Sequence, residues 1–235
     1  MNILWLSWKD ITNPEAGGAE IVGEQHAKSW TAAGHKIHWV SINYPGSTQF
    51  TTKAGIEYEH VGQRWMWFLG LIHIAYWYKW ETKWKNEYDI VIDEIHGPPL
   101  LTPLYVKKPK LVVIHEVAGT IWAKTIPFPL STIMQYIIEP VLFQAYKHTH
   151  IMTVAQTTAD ELIKMGIPKD NISVIISGVS IPDKINTPSK ESTPTIIFLS
   201  QLRPMKGLDR VYAAFKKVQK SIPNVKLWIV GDDTL

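Results

Sequence analysis

The 235-residue sequence contains no cysteine, and this absence excludes several classes of protein. Disulfide scaffolds, thiolate catalysis and cysteine-ligated zinc sites all need that side chain. A cysteine-free chain is compatible with a reducing compartment, so we expect a cytoplasmic protein, with peripheral contact at the inner face of the membrane as a further option.

The sequence also lacks a long apolar run and a block of one charge. The run from Trp65 to Tyr78 is interrupted by Gly70 and His73 and falls short of the roughly 20 residues that a spanning helix needs. The first segment reaches Lys9 too early for a secretory signal peptide. The net charge of +3 is spread along the chain, so we expect no nucleic-acid partner.

What is present is an alternation of short apolar runs with helix-like stretches, which is typical of an α/β fold with a doubly wound, Rossmann-like parallel sheet. The predicted strands cover residues 2–7, 36–41, 56–59, 88–93, 110–115, 150–154, 172–176, 195–200 and 225–230. The predicted helices cover residues 19–33, 65–85, 158–165 and 208–221. Thr157 is predicted to cap the third of these helices through its hydroxyl group.

A polar, proline-rich stretch divides the chain. Residues 182–194 show no periodicity and form the best linker candidate. We therefore expect a first Rossmann-like domain at 1–181 and the start of a second at 195–235. One strand–helix–strand unit cannot bury a substantial core, so the second domain is expected to be incomplete.

Two glycines stand at the start of the first helix. Gly17 and Gly18 follow a long loop after the first strand, and free backbone amides there, with the positive end of the helix dipole, would suit a phosphate or a sugar hydroxyl. The spacing does not match G-x-G-x-x-G, so a nicotinamide site is not predicted. A plain flexible connector is an equal alternative.

Acidic and histidine side chains follow two of the predicted strands. In an open parallel sheet, ligands bind beyond the carboxyl ends of the strands, which places a cluster on the expected functional edge. Its members are Asp93, Glu94, His96, His115 and Glu116. A histidine there can bind a sugar or accept a proton. Any one of these residues could instead be a solvated loop side chain, and their spacing matches no metal-ligand motif.

Two cations precede the helix at 208–221. Arg203 and Lys206 lie beside its N-terminus, an arrangement suited to a diphosphate. The alternative is an ordinary charged loop.

Five of the 11 tryptophans lie in one segment, from Trp65 to Trp84, among lysines. This pattern suits peripheral membrane contact or a lipid-linked acceptor. Core packing against the sheet is the plainer explanation and the favoured one.

Taken in order, several segments resemble the family 4 glycosyltransferases of the two-Rossmann-domain (GT-B) type. The carriers are the Gly17-Gly18-Ala19-Glu20 turn and residues 88–103, 111–115, 151–162, 175–179 and 199–208. The resemblance implies metal-free transfer of a sugar, with retention, from a nucleotide-diphosphate sugar to a glycan, lipid-linked or other hydroxyl acceptor.

The resemblance also implies roles for individual residues. Gly17 and Gly18 would lie near the donor phosphates and the acceptor, His115 would contact the donor sugar at the reaction centre, and Arg203 and Lys206 would hold the leaving diphosphate. Glu94, His96 and Glu116 form a candidate acceptor rim. No cofactor is expected besides the donor substrate.

The sequence departs from the family pattern in its last part. The acidic E-x7-E segment that grips the donor would lie beyond Val230, so we expect little or no transferase activity from these 235 residues alone. Two alternatives stay open at this point: a non-catalytic subunit that pairs with a separate chain completing the second domain, and a GT-B-like nucleotide-sugar epimerase.

Overall fold

A computed structural model describes residues 1–63, 66, 71–97, 99–178 and 189–232. Its main feature is an eight-stranded, mostly parallel sheet, which confirms the predicted fold class. The strands are β1 (Asn2–Leu6), β2 (Lys36–Ile42), β3 (Phe50–Lys53), β4 (Ile56–Val61), β5 (Ile90–Ile95), β6 (Lys110–Ile114), β7 (Ile151–Thr153) and β8 (Ile172–Val174).

The strand order is β3-β4-β2-β1-β5-β6-β7-β8, and only β3 runs antiparallel to its neighbour. The chain starts in the middle of the sheet, builds one half outwards from β1, and then returns to build the other half from β5. Such a reversal creates a crevice beyond the carboxyl ends of the two central strands, where α/β proteins bind ligands. The topology therefore predicts a ligand site at the loops after β1 and β5.

Helices cover the sheet. They are α1 (Gly18–Ala32), α2 (Leu71–Thr82), α3 (Trp122–Thr125), α4 (Leu130–Ile133), α5 (Glu139–Gln144) and α6 (Gln156–Lys164). A π-helical turn, Met134–Ile138, joins α4 to α5. The strands β1, β2, β5 and β6 are rich in apolar residues because both faces of the sheet are covered there. Trp5 and Trp39 stack with 4.4 Å between their ring centroids and are buried in the core cluster under α1. Tyr76 and Trp84 belong to a second core cluster, together with Leu4.

The second unit is a separate two-stranded parallel sheet. It consists of β9 (Thr195–Leu199), α7 (Leu208–Ser221) and β10 (Lys226–Val230). Its helix is amphipathic and buries Phe215. Most of the linker predicted at 182–194 lies outside the described residues, so the proposed domain boundary stays a prediction.

The structure corrects the sequence reading in three places. Helix α6 begins at Gln156 after Ala155, and no side chain caps it, so the predicted Thr157 cap is wrong. Strand β3 was not predicted because it is a short, polar edge strand. The helical stretch at 119–144 was not predicted either, since Pro127, Pro129 and Pro140 obscure its periodicity.

The tryptophan-rich segment is helical where it is described, from Leu71 onwards. Trp80 and Trp84 are buried in the core, while Trp77 and Tyr78 are exposed. Within the described residues, no helix combines the length and the apolar character that crossing a bilayer requires.

Candidate functional site

The loop between β1 and α1 is held in place by a buried carboxylate, that of Glu20. The Glu20 carboxylate accepts a hydrogen bond from the Gly17 amide at 2.6 Å and lies 3.6 Å from the Lys9 ammonium. Lys9 also donates to the Glu15 carbonyl at 2.8 Å. The expectation of free amides at both glycines is therefore wrong for Gly17. Gly18 keeps an open approach, since a Cβ built there meets nothing within 4 Å.

Glu94 and His115 form the central pair of the site. The His115 Nε2 donates to Glu94 Oε1 at 2.8 Å, and the indole of Trp5 donates to Glu94 Oε2 at 2.8 Å. The main chain of His115 is held as well, because its amide bonds to the Ile95 carbonyl and its carbonyl accepts from Thr158. Both oxygens of Glu94 are used, so the pair fixes which ring nitrogen of His115 is left for a ligand.

His96 lies between the Glu20 and His115 groups. Its Nε2 is 3.4 Å from Glu20 Oε1, and its ring stands edge-on to that of His115 at 6.3 Å. Burial lowers the pKa of His96, although Glu94 and Glu20 act in the opposite direction. Among the described residues, neither His96 Nε2 nor Glu20 Oε1 has a hydrogen-bond partner, so two buried polar atoms face each other without a full bond. Such a pair of buried groups can bind a water molecule or a ligand.

Asp93 and Glu116 do not join this cluster. Because neighbouring residues of a strand point to opposite faces, Asp93 points away from Glu94, and it accepts hydrogen bonds from Thr102 and Tyr146. Burial raises the pKa of Asp93 to about 6 against the effect of these bonds. Glu116 is exposed. The sequence reading of Asp93 as a rim residue is thus wrong: it is a buried structural acid.

A pocket of about 230 Å³ lies between the loops that follow β1 and β2, and it shares Lys9 with the loop that Glu20 holds. Aromatic and amide side chains line it, namely Trp8, Asn13, Asn43 and Tyr44, together with Lys9. Tyr44 donates to the Thr12 carbonyl at 2.8 Å, which fixes its ring in the wall. A volume of this size, with aromatic faces and hydrogen-bonding groups, suits one sugar ring.

A buried ion pair supports the same loops. Asp10 Oδ2 accepts from His60 Nε2 at 2.9 Å and from Ser41 at 2.5 Å, and Asp10 Oδ1 accepts from the Thr12 amide at 2.7 Å. Burial opposes the charge on Asp10, but the bonds from His60, Ser41 and Thr12 outweigh it and lower the pKa of Asp10. Burial likewise opposes the charge on His60, but its bonds to Asp10 and the Thr48 carbonyl raise its pKa.

In the second unit, the cations lie where the sequence predicted them, in the loop between β9 and α7. Arg203 precedes a short 3-10 turn, Pro204–Lys206, and Gly207, with a positive φ of 72°, is the N-cap residue of α7. The guanidinium of Arg210 lies against Gly207, with Nε 3.1 Å from the position of a Cβ. Three cations therefore belong to this helix start, and Arg210 is one that the sequence reading missed.

The sequence reading missed several other site residues. Lys9, Asp10, Tyr44 and His60 occupy loops or strands whose pairing depends on distant parts of the chain. For Glu20 a signal existed, since an acid three residues after Gly17 is the capping-box position. Among the described parts of the chain, no group of three or more histidine, aspartate and glutamate side chains is arranged to hold a metal ion.

Comparison with solved structures identifies the fold. The sucrose-phosphate synthase (tll1590) from Thermosynechococcus elongatus matches with a TM-score of 0.68 at 14% identity, over 98% of this chain and 62% of that one. Anabaena Alr3699/HepE in complex with UDP-glucose matches with a TM-score of 0.64 at 17% identity, over 99% of this chain and 61% of that one. The lipopolysaccharide outer core galactosyltransferase WaaB matches with a TM-score of 0.61 at 17% identity, over 100% and 62%.

These likenesses show a GT-B, Rossmann-like fold, and this chain spans little more than three fifths of the length of each structure. Among curated proteins, none matches the sequence. The model of glycosyl transferases group 1 matches residues 181–235. The model of Glycosyltransferase Family 4 matches residues 16–181, well over half of the sequence, and the chain therefore belongs to glycosyltransferase family 4.

Proposed function

We propose that this chain provides the acceptor-binding domain, and the first part of the donor-binding domain, of an enzyme that transfers a sugar from a nucleotide-diphosphate sugar to a hydroxyl acceptor. The observation that carries the proposal is the Glu94–His115 pair at the switch point of a family 4 sheet. UDP-glucose is bound by the Alr3699/HepE structure, which supports a nucleotide-sugar donor here.

In this proposal the leaving diphosphate is neutralised by fixed cations. Departure of a nucleotide diphosphate builds negative charge, and cations with a helix N-terminus stabilise such charge without a metal ion. Arg203 and Lys206 would perform this role, with Arg210 as a third cation at the start of α7.

The acceptor is proposed to lie in the pocket beside Trp8 and Tyr44. Aromatic rings pack against the apolar faces of a sugar, while Asn13 and Asn43 can bind its hydroxyl groups. Gly18 would then allow close approach of the donor to the loop between the pocket and His115. Transfer with retention of anomeric configuration remains part of the proposal.

The test uses the protein in a form that carries a complete second domain. Labelled nucleotide sugars are incubated with a panel of glycan and lipid-linked acceptors, and the anomeric configuration of any product is read by NMR. We expect transfer with retention, reduced by about 100-fold or more in His115→Ala and unchanged in His148→Ala, an exposed histidine. No transfer to any acceptor, or full activity without the His115 side chain, would contradict the proposal.

We also propose that the 235 residues alone have little or no transferase activity. The family match does not favour the non-catalytic pairing subunit or the epimerase. An epimerase would convert nucleotide sugars in the absence of any acceptor, and the same assay includes that control.

A further inference from the structure

The chain leaves the sheet after His115, and one side chain holds the segment that follows. Residues 116–119 belong to no strand and lead into a 3-10 turn, Gly119–Ile121. In the part of the chain that the structure describes, the amides of residues 116–119 donate to no main-chain carbonyl, and the only acceptor that they reach is the carboxylate of Glu139. The position of this segment therefore depends on Glu139.

Three donors converge on this carboxylate. Oε1 of Glu139 accepts from the Ala118 amide at 2.8 Å, and Oε2 accepts from the Gly119 amide at 2.9 Å and from the Trp122 indole at 3.1 Å. Glu139 is only 5% exposed, so water competes little for these bonds. Hydrogen bonds to an ionised acceptor are shorter and stronger than those between neutral groups. The contact therefore fixes the main chain at two successive residues.

Both partners of this contact have unusual backbone conformations. Glu139 directly follows the π-helical turn Met134–Ile138 and precedes Pro140. Such turns are rare, and they are frequently found at functional sites. On the other side of the contact, Gly119 has a positive φ of 46°, which glycine adopts without a steric penalty. The local fold on each side is thus specific to this contact.

We propose, on the basis of the proposed function, that Glu139 is a positioning residue for the transfer reaction, which acts through the main chain of residues 116–119 on His115 and Glu116. His115 forms one end of the segment and the Glu139 contact forms the other. Both oxygens of Glu139 are bonded within the protein, so a contact with substrate is not part of this role. A misplacement of about 1 Å caused by a distant change can lower a rate by about 100-fold.

Turnover by the form that carries a complete second domain tests this role. Glu139→Gln keeps the shape of the side chain but turns an N–H group towards one of the two amides, so at least one bond to the segment is lost. We expect kcat to fall by about tenfold or more, while KM for the nucleotide sugar stays within about twofold because the proposed phosphate-binding cations lie elsewhere. Val117 and Phe143 still share a core cluster in this variant, so it should fold.

Two further variants separate positioning from stability. Trp122→Phe removes the indole bond from the same carboxylate and leaves both amide bonds, so its kcat should stay within about twofold of the wild-type value. Ala118→Pro removes one amide donor from the segment itself, and the φ of −65° at Ala118 suits proline. Its kcat should fall as in Glu139→Gln, and it decides the question if Glu139→Gln does not fold. All rates are measured well below the Tm of each variant.

Amide hydrogen exchange, followed by NMR on the 235-residue chain, measures the contact without any substrate. The reference is the amide of Val112 in β6, which donates to the His150 carbonyl at 3.1 Å. Glu139→Gln should speed exchange at Ala118 or Gly119 by about tenfold or more relative to this reference, because the opening is local. Trp122→Phe should leave the exchange at both amides close to that of the wild type.

Three results would overturn the role of Glu139. They are wild-type kcat in Glu139→Gln or in Ala118→Pro, an equal fall of kcat in Trp122→Phe, and exchange at Ala118 and Gly119 that Glu139→Gln leaves unchanged. Transfer by the wild type together with any of these results refutes this inference alone. Absence of transfer by the wild type refutes the proposed function, and the role of Glu139 with it, even where hydrogen exchange shows the contact.

Discussion

At the scale of single residues, the Glu94 carboxylate at the end of β5 connects Trp5 with His115. It accepts from Trp5 and from His115 Nε2, so it should hold His115 in the tautomer with a proton on Nε2 and leave Nδ1 towards a ligand. The role of His115 was predicted through a family resemblance. Its partner was not, because the sequence does not tell how far apart two strand ends lie.

The tautomer of His115 is directly measurable. At pH 8, ring ¹⁵N chemical shifts of the wild type should show a single Nε2-protonated form for His115. In Glu94→Gln, whose amide can donate as well as accept, both tautomers should be populated. The exposed His148 serves as the reference for free exchange between tautomers. An Nδ1-protonated His115 in the wild type would refute the assigned pairing.

The Asp10–His60 pair makes a prediction about stability and pH. Replacing His60 by Gln leaves a buried carboxylate without its cation, so we expect a loss of about 3 kcal/mol in unfolding free energy. Because the pKa of Asp10 is lowered and that of His60 is raised on folding, the difference should be largest between about pH 4 and 6.5. It should shrink at higher pH, as the folded-state His60 loses its proton, and at lower pH, as Asp10 gains one.

Urea unfolding of the wild type and His60→Gln across pH 3–9 measures this difference. His148→Gln, an exposed substitution, should change little at any pH. A difference that grows steadily above pH 7 would show that the ion pair does not form as described.

At the scale of elements, the contact of α1 with the sheet depends on one glycine. A Cβ at Gly23 would lie 2.5 Å from the Trp39 ring, 3.2 Å from Glu94 and 3.3 Å from Trp5. The rings are buried and stacked, so they have little room to move. The close approach of α1 therefore supports both the core and the Glu94–His115 pair.

Gly23→Ala should destabilise the protein by about 1–3 kcal/mol, since overlap outweighs the better helix propensity of alanine. Gly18→Ala, at the open first position of the same helix, should be nearly neutral. Thermal unfolding of the two variants makes the comparison. Equal stability of Gly23→Ala and the wild type would mean that α1 lies farther from the sheet than described.

Strands and helices with a clear hydrophobic pattern could be predicted from the sequence, and those without one could not. The apolar runs of β1, β2, β5 and β6 identified a buried parallel sheet, because strands covered on both faces are continuously apolar. β3 carries no such run, and prolines obscure the helical periodicity of the stretch at 119–144. The edge of the sheet that holds the candidate site followed from topology, whereas Asp93 was misassigned because adjacent strand residues face opposite sides.

At the scale of the whole molecule, two sets of groups are proposed to serve one reaction. The first sheet supplies His115 with the pocket beside Tyr44, and the second unit supplies Arg203, Lys206 and Arg210. The comparison structures are about one and a half times the length of this chain. Activity therefore has to be tested with a complete second domain, as proposed above.

In the proposed reaction, the cations before α7 neutralise a departing nucleotide diphosphate. The most direct measurement is the rate of labelled sugar transfer by that complete form, compared among Arg203→Ala, Lys206→Ala and the exposed control Lys217→Ala. We expect turnover to fall by about 100-fold or more in each of the first two variants and to stay unchanged in the third. Wild-type turnover in both Arg203→Ala and Lys206→Ala would contradict the claim.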